Sequence, residues 1–319
     1  MLGVKGHAGY SCCTKCIQRG ERKENRMIFH YQNHPLRTNI NFWQRTDVSH
    51  HNQQSSLEIE KLPIDVIQVF ALDYMHVVYL GVMKALLGSW IKVKNCNYSL
   101  QQNDIRKLNT EFQSIACYIP RDFCRKPRDL KEIDRFKATE FRQFLLYTGQ
   151  VVLKDILSEE MYIHFLQLSL AMRILLNAED CVQNNKCAEE LIKDFLLRVP
   201  VLYDDLMLTY NCHCLSHLAR DSMHFGSLET TSAFKFENKL GKIKKLVKKK
   251  NNVPSQIYNR LVEQSVHGNH HTNIVSKKST VQSDGTYKFV KTKNFYLSSI
   301  APENFYLVQK LRAKGTRLT

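Results

Sequence analysis

The sequence predicts a mainly α-helical fold with minor β structure, stapled by zinc. Three observations predict it. Apolar residues recur at helical spacing through most of residues 66–250. The alternation that marks strands is confined to residues 286–308, in YKFV, NFYLSSI and NFYLV. Two ligand pairs, Cys13-x-x-Cys16 and His213-x-x-x-His217, stand about two hundred residues apart. One ion held by both would tie the N-terminal end of the fold to its C-terminal part.

The elements follow in chain order. Residues 1–60 are polar and irregular, rich in His, Asn, Gln and Arg. Residues 66–93 predict a helix of about 20 residues, broken near Gly88. Ser99-x-x-Gln102 has a capping-box pattern and opens a helix to about Cys117. Pro120 and Pro127 mark a loop over 119–130. Phe141, Phe144, Leu145 and Val152 share one face of a helix within 136–157. Ser158-Glu159-Glu160 caps the next helix, to about Leu176. Another runs over 187–198 and stops near Pro200. A histidine helix over about 204–222 and a lysine helix over about 235–250 follow. After Pro254 comes a short helix, then a loop over 267–285, then two or three strands.

With 319 residues and 43% hydrophobic side chains, the chain can bury a large core. Lys+Arg 46 against Asp+Glu 30 leaves a net charge of +16. That excess favours a polyanionic partner, most often nucleic acid. The ten cysteines do not read as a disulfide framework. MLGVKGHAGY lacks the apolar core of a secretory signal, and no apolar run reaches the ~20 residues that span a bilayer. In a reducing compartment a C-x-x-C binds metal or does redox work. The redox reading would need a thioredoxin-like βαβ context, which the surrounding sequence does not offer. The start reads as cut, because the first motif follows Met1 almost at once. The end, KLRAKGTRLT, has no closing element, so the chain is expected to be a fragment or a truncated gene product.

The residues that carry chemistry are few. His213 and His217, at i and i+4, share one helix face. With Cys13 and Cys16 they make a tetrahedral zinc set. Cys12 competes with Cys13 at a less usual spacing, and His224 lies on nearly the same face as the histidine pair. Asp221 is placed to orient an imidazole. Glu237, in the first turn of the lysine helix, reads as a magnesium ligand or as a carboxylate favoured by the helix dipole. Lys239, Lys242, Lys244, Lys245, Lys248, Lys249 and Lys250 form either a solvated face or a DNA-backbone contact. Leu240, Ile243 and Val247 mark an apolar stripe beside them. The run KIKKLVKKK also suits nuclear localisation. Arg125, Lys126 and Arg128, with Arg135, Lys137 and Arg142, form a second basic cluster. Glu140 within it is the main rival carboxylate. Asp73 and His76, one turn apart, make either a functional pair or a structural hydrogen bond.

Four runs, KGHAGYSCCTKC, FALDYMHVVYLGVMKALL, FCRKPRDLKEIDRFKATEFRQFLLYTGQVVLKDIL and CHCLSHLARDSMHFGSLETTSAFKFENKLGKIKKLV, together resemble the animal members of the CACTA (En/Spm) DNA transposase family. The resemblance covers about residues 3–265. It implies an RNase H-like core with three metal-binding acids and a long helical insertion before the third. It also implies a Cys-x-x-Cys soon after the second acid and a His pair shortly before the third, an order shared with the V(D)J recombinase catalytic subunit. On this sequence the implied zinc ligands are Cys13, Cys16, His213 and His217, and the implied third acid is Glu237. The first two acids are expected upstream of KGHAGY, so Mg²⁺ catalysis is expected only of a complete parent enzyme. The implied segments are residues 1–60, following the missing RNase H-like strands, and a helical insertion over 61–203. The His pair and third acid then fall in 204–265, and 266–319 is a loop with a short β segment. The expected function is a truncated or domesticated cut-and-paste transposase. The alternative is a non-catalytic, zinc-stabilised DNA-binding or interaction module. The expected partner is double-stranded DNA, in the nucleus, with a homo-oligomer compatible and no membrane.

Overall fold

The computed structural model describes residues 2–52, 59, 62–267, 288–291, 295–301 and 304–309. They are mainly helical, with short antiparallel strands. The chain divides into two compact units, Met1–Ser232 and Ala233–Thr319. The histidine pair and Glu237, expected in one segment, therefore fall in different units.

The first unit opens with a segment that sequence reading left irregular. It contains a hairpin, β1 (Glu21–Lys23) against β2 (Arg26–Ile28). Glu24 and Asn25 both take positive φ, 44° and 63°, which is what a two-residue primed turn requires. No Gly announces it. Helices α1 (Asn39–Trp43) and α2 (Val66–Val69) are short. Thr38 caps the first and Asp65 the second, each through its side-chain oxygen. They meet over a small core of Phe42, Val66 and Ile67, with Leu2, Val4, Trp43 and Ile64 packed against it.

The helix expected over 66–93 is interrupted elsewhere than at Gly88. The interruption spans residues 70–73. A π-helical stretch, Met75–Met83, then runs directly into α3 (Lys84–Ile91), which contains Gly88. Its wide turns expose few residues: Met75, Val77, Val78, Tyr79, Val82 and Met83 are all buried. Asp73 accepts the N–H groups of Met75 and His76 (3.3 Å each) and contacts the His76 ring. The Asp73/His76 pair thus starts a helix.

Helix α4 (Gln102–Ser114) begins later than the capping box predicted. Ser99 is not its cap; its hydroxyl donates to Cys96 O at 2.7 Å and closes a turn. The predicted helix over 136–157 is realised as α5 (Ala138–Gln143), a π-helical stretch Phe144–Thr148 and α6 (Gly149–Val152). Helix α7 (Glu159–Leu176) matches its prediction at both ends, with Ser158 Oγ accepting the Met161 N–H. After α8 (Asp180–Gln183), α9 (Asn185–Leu202) carries Pro200 inside its last turn, so Pro200 does not end it.

Helix α10 (Tyr210–Phe225) carries the histidines. The stretch expected to begin it near 204 forms instead a separate 3₁₀ turn, Asp205–Met207, capped by Asp204. Gly226, at φ 79°, ends it. α10 packs against α9 and the first π-helical stretch. The approach is close at Gly81, where an added Cβ would lie 2.6 Å from the Asn211 side chain. Trp90, Phe144 and Phe165 meet edge to face in the core of this unit, where their burial supplies the main driving force.

The second unit holds α11 (Ala233–Leu246) and α12 (Val253–His267). The lysine helix was expected to reach residue 250 but stops at Leu246, which puts Lys248, Lys249 and Lys250 in the following turn. Gln256 brackets that turn, accepting the Lys248 and Lys249 N–H groups (3.0 and 3.1 Å) and donating to Lys249 O and Asn251 O. Three strands then pair antiparallel in the order β3 (Lys288–Lys291), β4 (Phe295–Ala301), β5 (Asn304–Gln309). The loop expected over 267–285 lies, after His267, outside the described residues.

Candidate metal centre and basic surfaces

Two local structures bring the four ligands together. The Cys13–Cys16 segment is a tight turn: Cys13 Sγ accepts the N–H groups of Lys15 and Cys16, both at 3.4 Å. A strand-like bridge between Cys16 and Leu36 braces it. On α10, His213 and His217 stand one turn apart and face it. Cys13 Sγ lies 3.5 Å from His217 Nε2, Cys16 Sγ 3.4 Å from His213 Nε2, and the two Nε2 atoms are 3.3 Å apart. All four ligand atoms lie within 4.8 Å of one another, and all four residues are buried.

These separations are those of a metal tetrahedron. Zn–S of about 2.3 Å and Zn–N of about 2.0–2.1 Å put S···N edges near 3.5 Å and the N···N edge near 3.3 Å. The chain therefore holds a buried Cys₂His₂ cluster that can bind zinc. It is the one such grouping of three or more His, Cys, Asp or Glu among the described residues. Hydrogen bonding from the Cys16 thiol, helped by His213 and His217, holds the Cys13 thiol far below its ordinary range against the cost of burial. Cys16 is correspondingly pushed up by sharing its proton with Cys13, and by burial. Metal binding replaces that shared proton.

The rivals are placed elsewhere. Cys12 turns its Sγ toward His7 O (3.8 Å), and burial pushes its thiol up to about 12. His224 is exposed near the end of α10, edge-on to Phe225 and outside the cluster. Asp221 was expected to orient an imidazole. Instead its Oδ1 lies 2.9 Å from Lys15 Nζ and its Oδ2 accepts the Leu72 N–H at 2.7 Å. Lys15 also donates to Ile67 O at 3.1 Å. Sequence reading missed this ion pair, which locks the cysteine turn to the histidine helix. It also missed Phe29, whose ring stacks on His213 with centroids 5.1 Å apart.

The basic cluster around Arg128 has a structural role. Arg128 Nε and Nη2 hold Glu140 at 2.7 and 3.0 Å, Nη1 holds Glu132 at 2.8 Å, and the guanidinium sits 5.2 Å over the Phe136 ring. These bonds hold the guanidinium on protein groups, with the Arg128 side chain 31% exposed. Glu140 is 3% exposed and also accepts the Lys137 N–H at 2.8 Å, so it closes the start of α5. Arg142 pairs with Glu229. Arg125, which reaches Glu140 only at 3.9 Å, and Lys126 stay exposed.

Lys239, Lys242, Lys244 and Lys245 are exposed on α11, and Lys248, Lys249 and Lys250 on the turn after it. None forms a salt bridge among the described residues. Glu237 is exposed in the second turn of α11, not the first. α11 buries no residue, and Leu240, expected in a packing stripe, is 63% exposed.

No family model matches the chain, and neither a curated protein nor a solved structure matches it. No described helix is long and apolar enough to cross a membrane.

Proposed function

We propose that this chain is a zinc-stapled, DNA-binding protein of the CACTA transposase kind, working in the nucleus as part of an RNase H-like recombinase scaffold. One observation carries the reading. Cys13 and Cys16 converge with His213 and His217 in a buried tetrad across about two hundred residues. That is the ligand order the resemblance implies, with Glu237 following as its third acid. The four runs that carry the resemblance supply the rest of the argument.

In this reading zinc is structural. Four protein ligands close its coordination, and the ion links the N-terminal turn to α10. The unpaired lysines of α11 and its turn meet phosphates. Arg125 and Lys126 add a second contact. Strand cleavage and transfer would need two divalent ions held by three acids, of which Glu237 supplies one.

The second reading is a non-catalytic zinc-stabilised DNA-binding or interaction module derived from a transposase, and the buried tetrad supports it equally. The first reading requires duplex DNA binding, and fluorescence anisotropy against salt tests it. Binding should show little sequence preference and a steep salt slope. Charge reversal at Lys244, Lys245 and Lys248 should weaken it alike on unrelated sequences and flatten the slope. Unchanged affinity and slope would make the lysines a solvated face.

A further inference from the structure

A cleft of ≈ 360 Å³ opens beside the metal cluster, between α10, α2 and residues 36–39. Three cations line it: Lys15, Arg37 and Arg220. Each keeps hydrogen-bond donors that the protein does not use. Lys15 Nζ meets two acceptors, Asp221 Oδ1 and Ile67 O, and an ammonium has three protons. Arg37, its side chain 5% exposed, gives Nε to Cys13 O (2.8 Å) and Nη2 to Asp47 (2.9 Å). A guanidinium has five N–H donors, so others remain. Arg220 is exposed and has no hydrogen bond or ion pair among the described residues.

The acids that line the cleft are already engaged. Asp65 accepts the Ile67 and Gln68 N–H groups at 2.9 and 3.1 Å. Asp221 is held by Lys15 and by the Leu72 N–H. What remains at the cleft is a surplus of N–H donors and the Arg220 charge, which no carboxylate pairs among the described residues.

We propose that this cleft binds a phosphate group. A phosphate offers only acceptors, carries the complementary charge, and suits a guanidinium fork. The volume lies at the small end of the ~300–1,000 Å³ range of ligand sites. It has room for a phosphate with part of the sugar or backbone that bears it. The site uses none of the α11 lysines, so it stands or falls separately from their DNA contact.

Isothermal titration of the full zinc-loaded chain with inorganic phosphate, at constant ionic strength in chloride, tests this. Saturable binding is expected. Arg220→Gln should weaken it about tenfold, with zinc content and Tm unchanged because Arg220 is exposed. Lys244→Glu with Lys245→Glu should leave it intact. A duplex arm then identifies the source. If Arg220→Gln also weakens duplex binding and phosphate competes with duplex, the phosphate is a backbone phosphate. If duplex binding is unchanged, the cleft takes a free phosphate compound. No saturable binding of phosphate, or binding indifferent to Arg220→Gln, overturns the proposal whatever the duplex does. Loss of duplex binding in the lysine variant alone bears only on α11.

Discussion

Lys15 Nζ lies 2.9 Å from Asp221 Oδ1, with both side chains under a tenth exposed. The turn that carries both cysteines is thus charge-paired to the helix that carries both histidines. Breaking a buried pair from one side strands a charge and costs about 3–5 kcal/mol. Asp221→Ala should do so, and it also leaves the Leu72 N–H without its acceptor. Lys15→Met with Asp221→Leu removes the stranded charge and should recover part of the loss, although the Leu72 N–H still lacks its acceptor. Urea denaturation at fixed zinc checks both. A single variant within 1 kcal/mol of the parent would contradict the assignment.

Arg128 and Glu140 give a second stability prediction. Glu140→Gln weakens two charge-assisted bonds at the start of α5 and should cost about 2 kcal/mol. Because these bonds are internal, Arg128→Gln should lower Tm while changing duplex affinity less than Lys244→Glu does. The reverse order would return Arg128 to the DNA surface.

The metal ligands were legible because ligand chemistry is written in residue type and spacing. Cys-x-x-Cys and His-x-x-x-His each fix a local geometry, and few side chains substitute for them. α7 was legible too, since Ser158 and the helical apolar pattern agree. The Lys15–Asp221 pair was not, because nothing local links residues 15 and 221. The β1–β2 turn escaped because Glu24 and Asn25 adopt positive φ without glycine. The π-helical stretch 75–83 has no distinct signature, since an all-round apolar run fits several helical periods. α11 was drawn too long because lysine is a good helix former. Its end is set by the Gln256 bracket, a contact made from the following helix. The Arg128–Glu140 pair was not legible either, because no sequence pattern links residues 128 and 140.

His164 gives a pH prediction. Its Nε2 lies 2.9 Å from Phe195 O, and its ring stacks on Phe195 at 4.0 Å. Burial holds its pKa down to about 4. The unfolded imidazole titrates near ~6.5. As pH falls, the unfolded chain takes up this proton first. The contribution of His164 is therefore fully present above about 6.5 and is lost between there and about 4. Metal binding is itself pH-dependent, so the direct readout is an NMR titration of the His164 ring in the folded protein. A midpoint near 4 is expected, and one near 6.5 would contradict the burial argument.

Glu237 gives a catalytic prediction. The 319-residue chain should not cut DNA in Mg²⁺ or Mn²⁺, since one carboxylate cannot bridge two ions. In a longer protein that supplies the other two acids, Glu237→Gln should abolish cleavage and leave zinc content and duplex binding unchanged. Metal-dependent cleavage by this chain alone, indifferent to Glu237→Gln, would overturn the assignment. It would redirect attention to Asp73 and Glu140 despite their structural bonds.

The central claim is that one zinc joins Cys13 and Cys16 to His213 and His217. Metal analysis by mass spectrometry, on protein purified without chelator, tests it most directly. The account predicts about one zinc per chain, retained in Cys12→Ser. Cys16→Ser and His217→Ala should each lose it together with much of the fold's stability. A folded parent protein without zinc, or zinc that survives both Cys16→Ser and His217→Ala, would contradict it.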